Sequence, residues 1–262
     1  ESCSQYVDMT DTEDKIEYFD GEICVDHLKE ADIVTNSGFL RPLSEKKLKY
    51  LKSDAVIPLM YEEWELRETD IDIEYCKKNN ISVGGTWEHH PKIKVFEHIG
   101  PLAIKMAFEA GFEVFNNNII VWSDDEFGET IKTYYEKIGA AEVLLTTEQT
   151  LLYDNVRDAD FIFLSDYDEE REYGQNNFFD FTRLAELNES LGIVHLFGKF
   201  DHSEVQAHLP VVYPAFNGSK TVMSYTLSHI GLNPFIDLQV AGFKVGEMLK
   251  KNEDSKLLQK II

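Results

Sequence analysis

The chain has 262 residues, and its 48 acidic residues outnumber its 25 basic ones, which gives a formal net charge of −23. A protein this acidic repels nucleic-acid phosphates and anionic membrane surfaces, so we expect neither as a partner. Hydrophobic residues make up 43% of the sequence, which excludes intrinsic disorder. No apolar run approaches the roughly 20 residues of a membrane helix. The three cysteines match no zinc-binding spacing, and we expect a reduced, cytoplasmic protein without a metal site.

The first part of the chain alternates apolar runs with amphipathic segments. The predicted strands cover residues 31–36, 55–60 and 81–83. Between them, Ser44 and Asp70 stand where helix N-caps are expected, each ahead of an amphipathic run. This β-α-β-α-β order predicts a parallel sheet.

A second β-α series follows a connecting helix that begins at Pro101. Its predicted strands are 119–122, 141–145, 159–164, 192–196 and 211–213. We therefore predict an α/β protein with two Rossmann-like lobes built on parallel sheets. The first lobe, flavodoxin- or Rossmann-like, comprises residues 1–100 and is completed by a C-terminal helix over 236–262. The second lobe, of the NAD(P)-binding type, comprises residues 101–235.

The turn after the strand 119–122 is where a dinucleotide-binding lobe carries its glycine-rich fingerprint. Here the turn reads Ser123-Asp124-Asp125-Glu126-Phe127-Gly128, and of the three glycines in G-x-G-x-x-G only the third is present. The next two strand ends add hydroxyl groups that face the same ligand position. The candidate cofactor-binding residues are Ser123, Asp125, Phe127, Gly128, Thr146 and Ser165.

Acidic side chains in this turn disfavour NAD or NADP. One carboxylate about 4 Å from a phosphate costs on the order of 4 kcal/mol at an effective dielectric constant near 20. A helix N-terminus returns only about 0.3–1 kcal/mol. A bridging cation beside Asp124, Asp125 and Glu126 could rescue binding, but nothing in the sequence requires one. The alternative is that these acids only stabilise the first turn of the helix.

Three segments give the chain a family resemblance. They are Asp70–Val83, the connecting helix 101–110 that leads to the strand 119–122, and Ala241–Gly246. In this order they resemble the D-isomer-specific 2-hydroxyacid dehydrogenases, a group that includes phosphoglycerate dehydrogenases, over residues 31–250. The resemblance implies NAD(P)-dependent hydride transfer, a small-molecule ligand in a cleft between the lobes, and a homodimer.

The catalytic residues of that family are incompletely matched here. Phe197 stands where the resemblance implies an arginine before a glycine, and neighbouring Lys199 lacks the planar fork that grips a carboxylate. His229 is a candidate by position and local sequence. His195 lies within an apolar strand, where either a core role or a catalytic role fits. The weak catalytic candidates are therefore Lys199, His229 and His195.

Two further segments leave alternatives open. Trp87-Glu88-His89-His90 follows a strand end and is either an exposed loop or, less simply, part of a metal site, although adjacent histidines point in different directions. The segment 61–67 either lines the cleft, with Arg67 or Arg41 holding an anion, or is a salt-bridged loop.

Two hypotheses about function follow. The first is a divergent 2-hydroxyacid dehydrogenase-like protein that binds a small molecule or nucleotide and acts as an NAD(P)-dependent oxidoreductase. The alternative is a non-catalytic Rossmann-fold binding or assembly protein that has lost the dinucleotide site. The residues alone do not decide whether the chain is an enzyme.

Overall fold

The computed structural model describes residues 23–35, 40–168, 171–174, 177–215 and 223–262. The chain divides into two compact units. The first unit is Glu1–Glu88 with Leu238–Ile262, and the second is His89–Asp237. The sequence places the first boundary at residue 100, whereas the structure places it after Glu88.

The elements of the described residues are as follows. The α-helices are α1 (Val25–Glu30), α2 (Glu45–Leu48), α3 (Ile73–Lys78), α4 (Ile99–Glu109), α5 (Glu126–Ile138), α6 (Gln149–Asn155), α7 (Phe181–Leu187), α8 (His202–His208) and α9 (Asn233–Lys251). The strands are β1 (Val56–Pro58), β2 (Ser82–Thr86), β3 (Asn118–Trp122), β4 (Glu142–Thr146), β5 (Phe161–Leu164), β6 (Gly192–His195), β7 (Val211–Tyr213) and β8 (Leu258–Lys260). No described helix is long and apolar enough to cross a membrane.

The first unit contains a three-stranded sheet in the order β1-β2-β8. Strands β1 and β2 are parallel, but β8 is antiparallel to β2, so this sheet is mixed rather than parallel throughout. The helix expected over 236–262 ends at Lys251, because Asn252 adopts a left-handed φ of 52°. The residues beyond it return as β8.

Two further local expectations in the first unit need correction. Of the strand expected over 31–36, residues 31–35 show one parallel bridge, between Ile33 and Val56, and residue 36 lies outside the described residues. The N-cap of α3 is Asp72, not Asp70, since its side chain accepts from the amide of Tyr75 at 2.9 Å.

The second unit is built on a five-stranded parallel sheet in the order β4-β3-β5-β6-β7. On the face of the sheet that α5 covers, the ring of Tyr135 in α5 lies 5.9 Å from the ring of Phe163 in β5. On the opposite face, Trp122 packs edge-on against Phe179 at 4.8 Å. Helices on both faces explain why β5 is a wholly apolar, buried strand.

The strand order reverses direction at β3, because β4 lies on one side of it and β5 on the other. In open α/β sheets, ligands bind beyond the carboxyl ends of the strands at such a switch point. We therefore expect a ligand site, if the protein has one in this unit, among the residues that follow β3, β4 and β5.

Candidate functional site

The ends of β3, β4 and β5 lie side by side in the second unit. Trp122, the last residue of β3, is in register with Thr146 on one side and Leu164 on the other. The amide of Ser165 donates to the carbonyl of Trp122 at 3.0 Å. Because Ser123 directly follows Trp122, three of the predicted residues meet at one place, which we call the carboxyl edge.

The first turn of α5 is closed by the chain's own carboxylate. Asp125 is the N-cap, and its Oδ1 accepts from the amides of Phe127 at 2.9 Å and Gly128 at 3.2 Å. The Ser123 hydroxyl donates to the same oxygen at 2.7 Å. Amides in this position are the donors that a pyrophosphate uses in dinucleotide-binding folds. Here they already have an anionic acceptor.

Gly128 lets α5 approach β3 closely. A Cβ built on Gly128 would lie 2.4 Å from the Cβ of Ser123 and 2.8 Å from the Leu145 side chain. Real Cβ atoms do not tolerate such contacts, so this position needs glycine. This packing function is the one that the third glycine of the fingerprint performs.

Arg171 supplies an internal cation to the acidic turn. Its guanidinium pairs with Asp124, with Asp166 at 3.0 Å and with Asp168 at 3.3 Å. The hydrogen bond from Arg171 holds the pKa of Asp124 below its usual value. The cation beside the acidic turn is therefore a side chain of this protein, shared among three carboxylates.

Two carboxyl groups at the carboxyl edge are harder to ionise than usual. Burial raises the pKa of Asp125, against the hydrogen bonds from Ser123 and the helix amides. Burial also raises the pKa of Asp166, which the Tyr173 hydroxyl contacts. The buried Oδ2 of Asp125 has no hydrogen-bond partner among the residues that the structure describes. The carboxyl edge thus holds two buried carboxyl groups, and its cation Arg171 is already shared among three carboxylates.

The remaining predicted cofactor residues have structural contacts. The Thr146 hydroxyl accepts from the amide of Glu148 at 3.0 Å, which closes the turn before α6. Ser165 is fully buried, and within the described ranges its hydroxyl lacks a partner. The Phe127 ring packs edge-on against Phe197 at 4.8 Å.

The three weak catalytic candidates lie in different environments. Lys199 is exposed. His195 is fully buried in β6, its Nε2 donates to the carbonyl of Pro214 at 3.0 Å, and burial lowers its pKa to about 4. His229 is exposed, with Nδ1 3.0 Å from the carbonyl of Thr226.

A second group of acids lies in the first unit, and we call it the carboxyl cluster: Glu62, Glu65 and Glu88. Glu62 accepts from the amide of Glu88 at 2.9 Å, from the Trp64 indole at 3.2 Å and from the Gln259 amide at 3.2 Å. Burial raises the pKa of Glu65 to about 7. Burial, with repulsion from Glu65 and Glu62, raises the pKa of Glu88.

The histidines after β2 make ordinary contacts. His89 lies in the second unit, 2.8 Å from Glu126. Across the described ranges, no three His, Cys, Asp or Glu side chains are arranged to hold a metal ion.

Sequence reasoning missed Arg171, and it did not bring together the two segments that hold the carboxyl cluster, 61–67 and 87–90. A usable signal existed for Arg171, because it is the only basic residue between β5 and α7. An acidic turn beside a strand end needs a nearby cation, and this loop could offer no other. The carboxyl cluster gave no comparable signal, since Gln259 joins it from 197 residues away.

Comparison with known proteins was made at the level of sequence and of structure. No family model and no curated protein matches the chain. The D-lactate dehydrogenase with NAD+ from Lactobacillus jensenii is 15% identical with a TM-score of 0.53, covering 98% of this chain and 96% of that one. A 2-hydroxyacid dehydrogenase from Ketogulonicigenium vulgare Y25 is 10% identical with a TM-score of 0.59, covering 91% and 87%.

A third solved structure extends the likeness. A dipicolinate synthase chain from Bacillus halodurans is 12% identical with a TM-score of 0.58, covering 91% of this chain and 87% of that one. Likeness at such low identity concerns the fold. The chain therefore has the fold of the D-isomer-specific 2-hydroxyacid dehydrogenases, as the sequence resemblance predicts.

Proposed function

We propose that this chain is a non-catalytic binding or assembly protein on a dehydrogenase-type Rossmann scaffold, and that its carboxyl edge no longer holds NAD or NADP. One observation carries the proposal: the Asp125 carboxylate accepts the α5 amides on which a pyrophosphate would rest. A ligand phosphate would have to displace the Asp125 carboxylate, which is part of the chain and already accepts these hydrogen bonds.

The electrostatic balance supports this proposal. A phosphate at the first turn of α5 would lie near Asp124 and Asp125, and each such approach costs on the order of 4 kcal/mol at about 4 Å and an effective dielectric constant near 20. The helix N-terminus offsets about 0.3–1 kcal/mol of this. Arg171 could offset more only by leaving the three carboxylates that it already contacts.

The residues that the resemblance implies for hydride transfer are also poorly supported. Phe197, at the position of the implied arginine, is 2% exposed and packs against the rings of Phe127 and Tyr167. It cannot pair with a ligand carboxylate. His195, with a pKa lowered to about 4, is neutral near pH 7 and has its Nε2 hydrogen committed to a carbonyl.

One observation favours the oxidoreductase as the second candidate function. A carbonyl oxygen only accepts, so the contact between His229 Nδ1 and the carbonyl of Thr226 places the ring proton on Nδ1. This leaves the Nε2 lone pair of an exposed imidazole ready to act as a base. A base alone does not transfer a hydride, so this candidate still requires NAD(P) binding.

The replacement Asp125→Gly tests the proposal. Glycine is an adequate N-cap and costs only a few tenths of a kcal/mol relative to aspartate, while it frees the two amides and removes a charge. We expect millimolar NADH or NADPH to raise the melting temperature of Asp125→Gly but not that of the wild type. The matched control is Asp180→Gly, which removes the N-cap of α7 and should respond as the wild type does.

Two results would contradict the proposal. If the wild type is stabilised as strongly as Asp125→Gly, the carboxylate does not block the site. If neither protein is stabilised, Asp125 is not the obstacle, and this explanation of the turn is wrong.

A further inference from the structure

A cavity of about 570 Å³ lies within the first unit, between the loop before α2 and the segment before α3. Its size falls within the roughly 300–1,000 Å³ of typical small-molecule sites. Its two walls are fixed to each other, because Leu43 donates to the carbonyl of Asp70 at 2.8 Å and receives the amide of Asp72 at 3.1 Å. The cavity is therefore part of the folded framework.

The floor of this cavity is apolar. Leu43 and Ile71 pair as a parallel bridge and are 0% and 2% exposed. Leu66 and Ile73 are half-buried and also line the cavity. A ligand that fills the cavity must present an apolar body to these side chains.

The charged groups around the cavity are mostly negative. Among the described residues, the charged side chains that line it are Arg67 and the three acids Glu68, Asp72 and Glu74. Arg67 also interacts with Glu65 of the carboxyl cluster, so part of its charge is already balanced. Glu74 pairs with Lys77 at 2.8 Å, outside the lining. The unbalanced charge facing the cavity is that of Glu68 and Asp72.

Asp72 is the better-placed of these two acids. Its backbone is fixed at the N-cap of α3, and its Oδ1 accepts from the amide of Tyr75 at 2.9 Å. Its Oδ2 accepts no hydrogen bond from the residues that the structure describes. A half-buried carboxylate with one oxygen engaged and one available is a suitable acceptor for an ammonium group.

We propose that this cavity binds a small organic cation, namely an amine carried on an apolar body. The apolar body packs on the half-buried Leu66 and Ile73, and the ammonium group donates to Asp72. This site lies wholly within the first unit and does not depend on the proposed function of the second.

Three probes of the same shape test the charge preference: benzylamine, benzyl alcohol and benzoate, titrated into the whole protein and followed by calorimetry or NMR. We expect benzylamine to bind with a Kd of about 1 mM, as befits a fragment of this size. It should bind about three- to five-fold more tightly than benzyl alcohol, the effect of one partly exposed charge pair. Benzoate should bind more weakly than both.

The isosteric variant Asp72→Asn locates the interaction. Asparagine is as good an N-cap as aspartate, so the fold of α3 is kept while the charge is lost, and benzylamine should fall to the affinity of benzyl alcohol. The matched control Asp180→Asn changes an N-cap in the second unit and should leave all three affinities unchanged. Ile73→Trp, which fills the cavity, should weaken all three probes.

The proposal is overturned by any of three outcomes. In the first, benzylamine binds wild type and Asp72→Asn with the same affinity. In the second, benzoate binds more tightly than benzylamine. In the third, none of the three probes binds at about 10 mM. None of these results bears on Asp125 or NADH.

Discussion

Arg171 contacts carboxylates from three segments, namely the turn after β3, the end of β5 and the following loop. Replacing it with methionine removes a counter-charge that these acids share. We expect Arg171→Met to lower the free energy of unfolding by about 1–3 kcal/mol near pH 7, and by less near pH 4, because burial raises the pKa of Asp166 and this carboxyl takes up a proton more readily than usual. Urea unfolding at the two pH values measures the difference.

A matched control for this change is Arg157→Met, which removes an exposed arginine from the same unit. It should stay within about 0.5 kcal/mol of the wild type. If Arg171→Met behaves like this control, the ion pairs do not stabilise the carboxyl edge.

The carboxyl cluster predicts a pH dependence of stability. Folding raises the pKa of Glu65 from 4.5 to about 7, so the folded chain holds more protons than the unfolded chain in this range. The stabilisation is complete below pH 4.5 and is lost as the pH rises through about 7. Glu88→Gln removes a repelling carboxylate, and we expect it to be more stable than the wild type at pH 8 by about 1 kcal/mol or more.

Thermal melts between pH 5 and pH 8 test this prediction, with the exposed replacement Glu30→Gln as control. The two variants should diverge progressively as the pH rises from 5 to 8. Parallel profiles for the wild type and Glu88→Gln would show that these acids are not coupled to folding.

At the scale of single residues, the acidic turn could be predicted from the sequence because its residues are contiguous. Its neutralisation could not, since Asp124 and Arg171 are 47 positions apart. The contact of Gln259 with Glu62 could not be predicted for the same reason, because the two residues are 197 positions apart. Contacts of this kind depend on how strand ends align, which local patterns do not encode.

At the scale of elements, Gly128 fixes the distance between α5 and β3. A glycine-to-alanine change within a helix ordinarily stabilises it. Here a Cβ would lie 2.4 Å from that of Ser123, and we expect Gly128→Ala to cost about 1–3 kcal/mol in unfolding free energy. Denaturant unfolding should also show partial rescue in the double variant with Ser123→Gly. The neighbouring exposed change Glu129→Ala should have little effect, and a stabilised Gly128→Ala would contradict the close approach.

Element prediction succeeded where periodicity was strong. The strand expected over 119–122 is β3, and the one over 211–213 is β7. It failed for β8, a three-residue strand whose pairing with Gly84–Thr86 depends on a distant segment.

At the scale of the whole molecule, the net charge of −23 does not mean that every acidic side chain lacks a counter-charge. Some acids have internal partners, as Asp124 has in Arg171. The remaining charge still predicts repulsion of nucleic acid. The homodimer and the cytoplasmic location remain predictions, the former from the resemblance alone.

We propose that Asp125 closes the nucleotide site of this dehydrogenase-type fold. Calorimetric titration of the wild-type protein with NADH and with NADPH tests it most directly. We expect no saturable binding up to about 1 mM of either dinucleotide. Saturable binding with a Kd below about 100 μM, equivalent to more than about 5 kcal/mol of binding free energy, would contradict it.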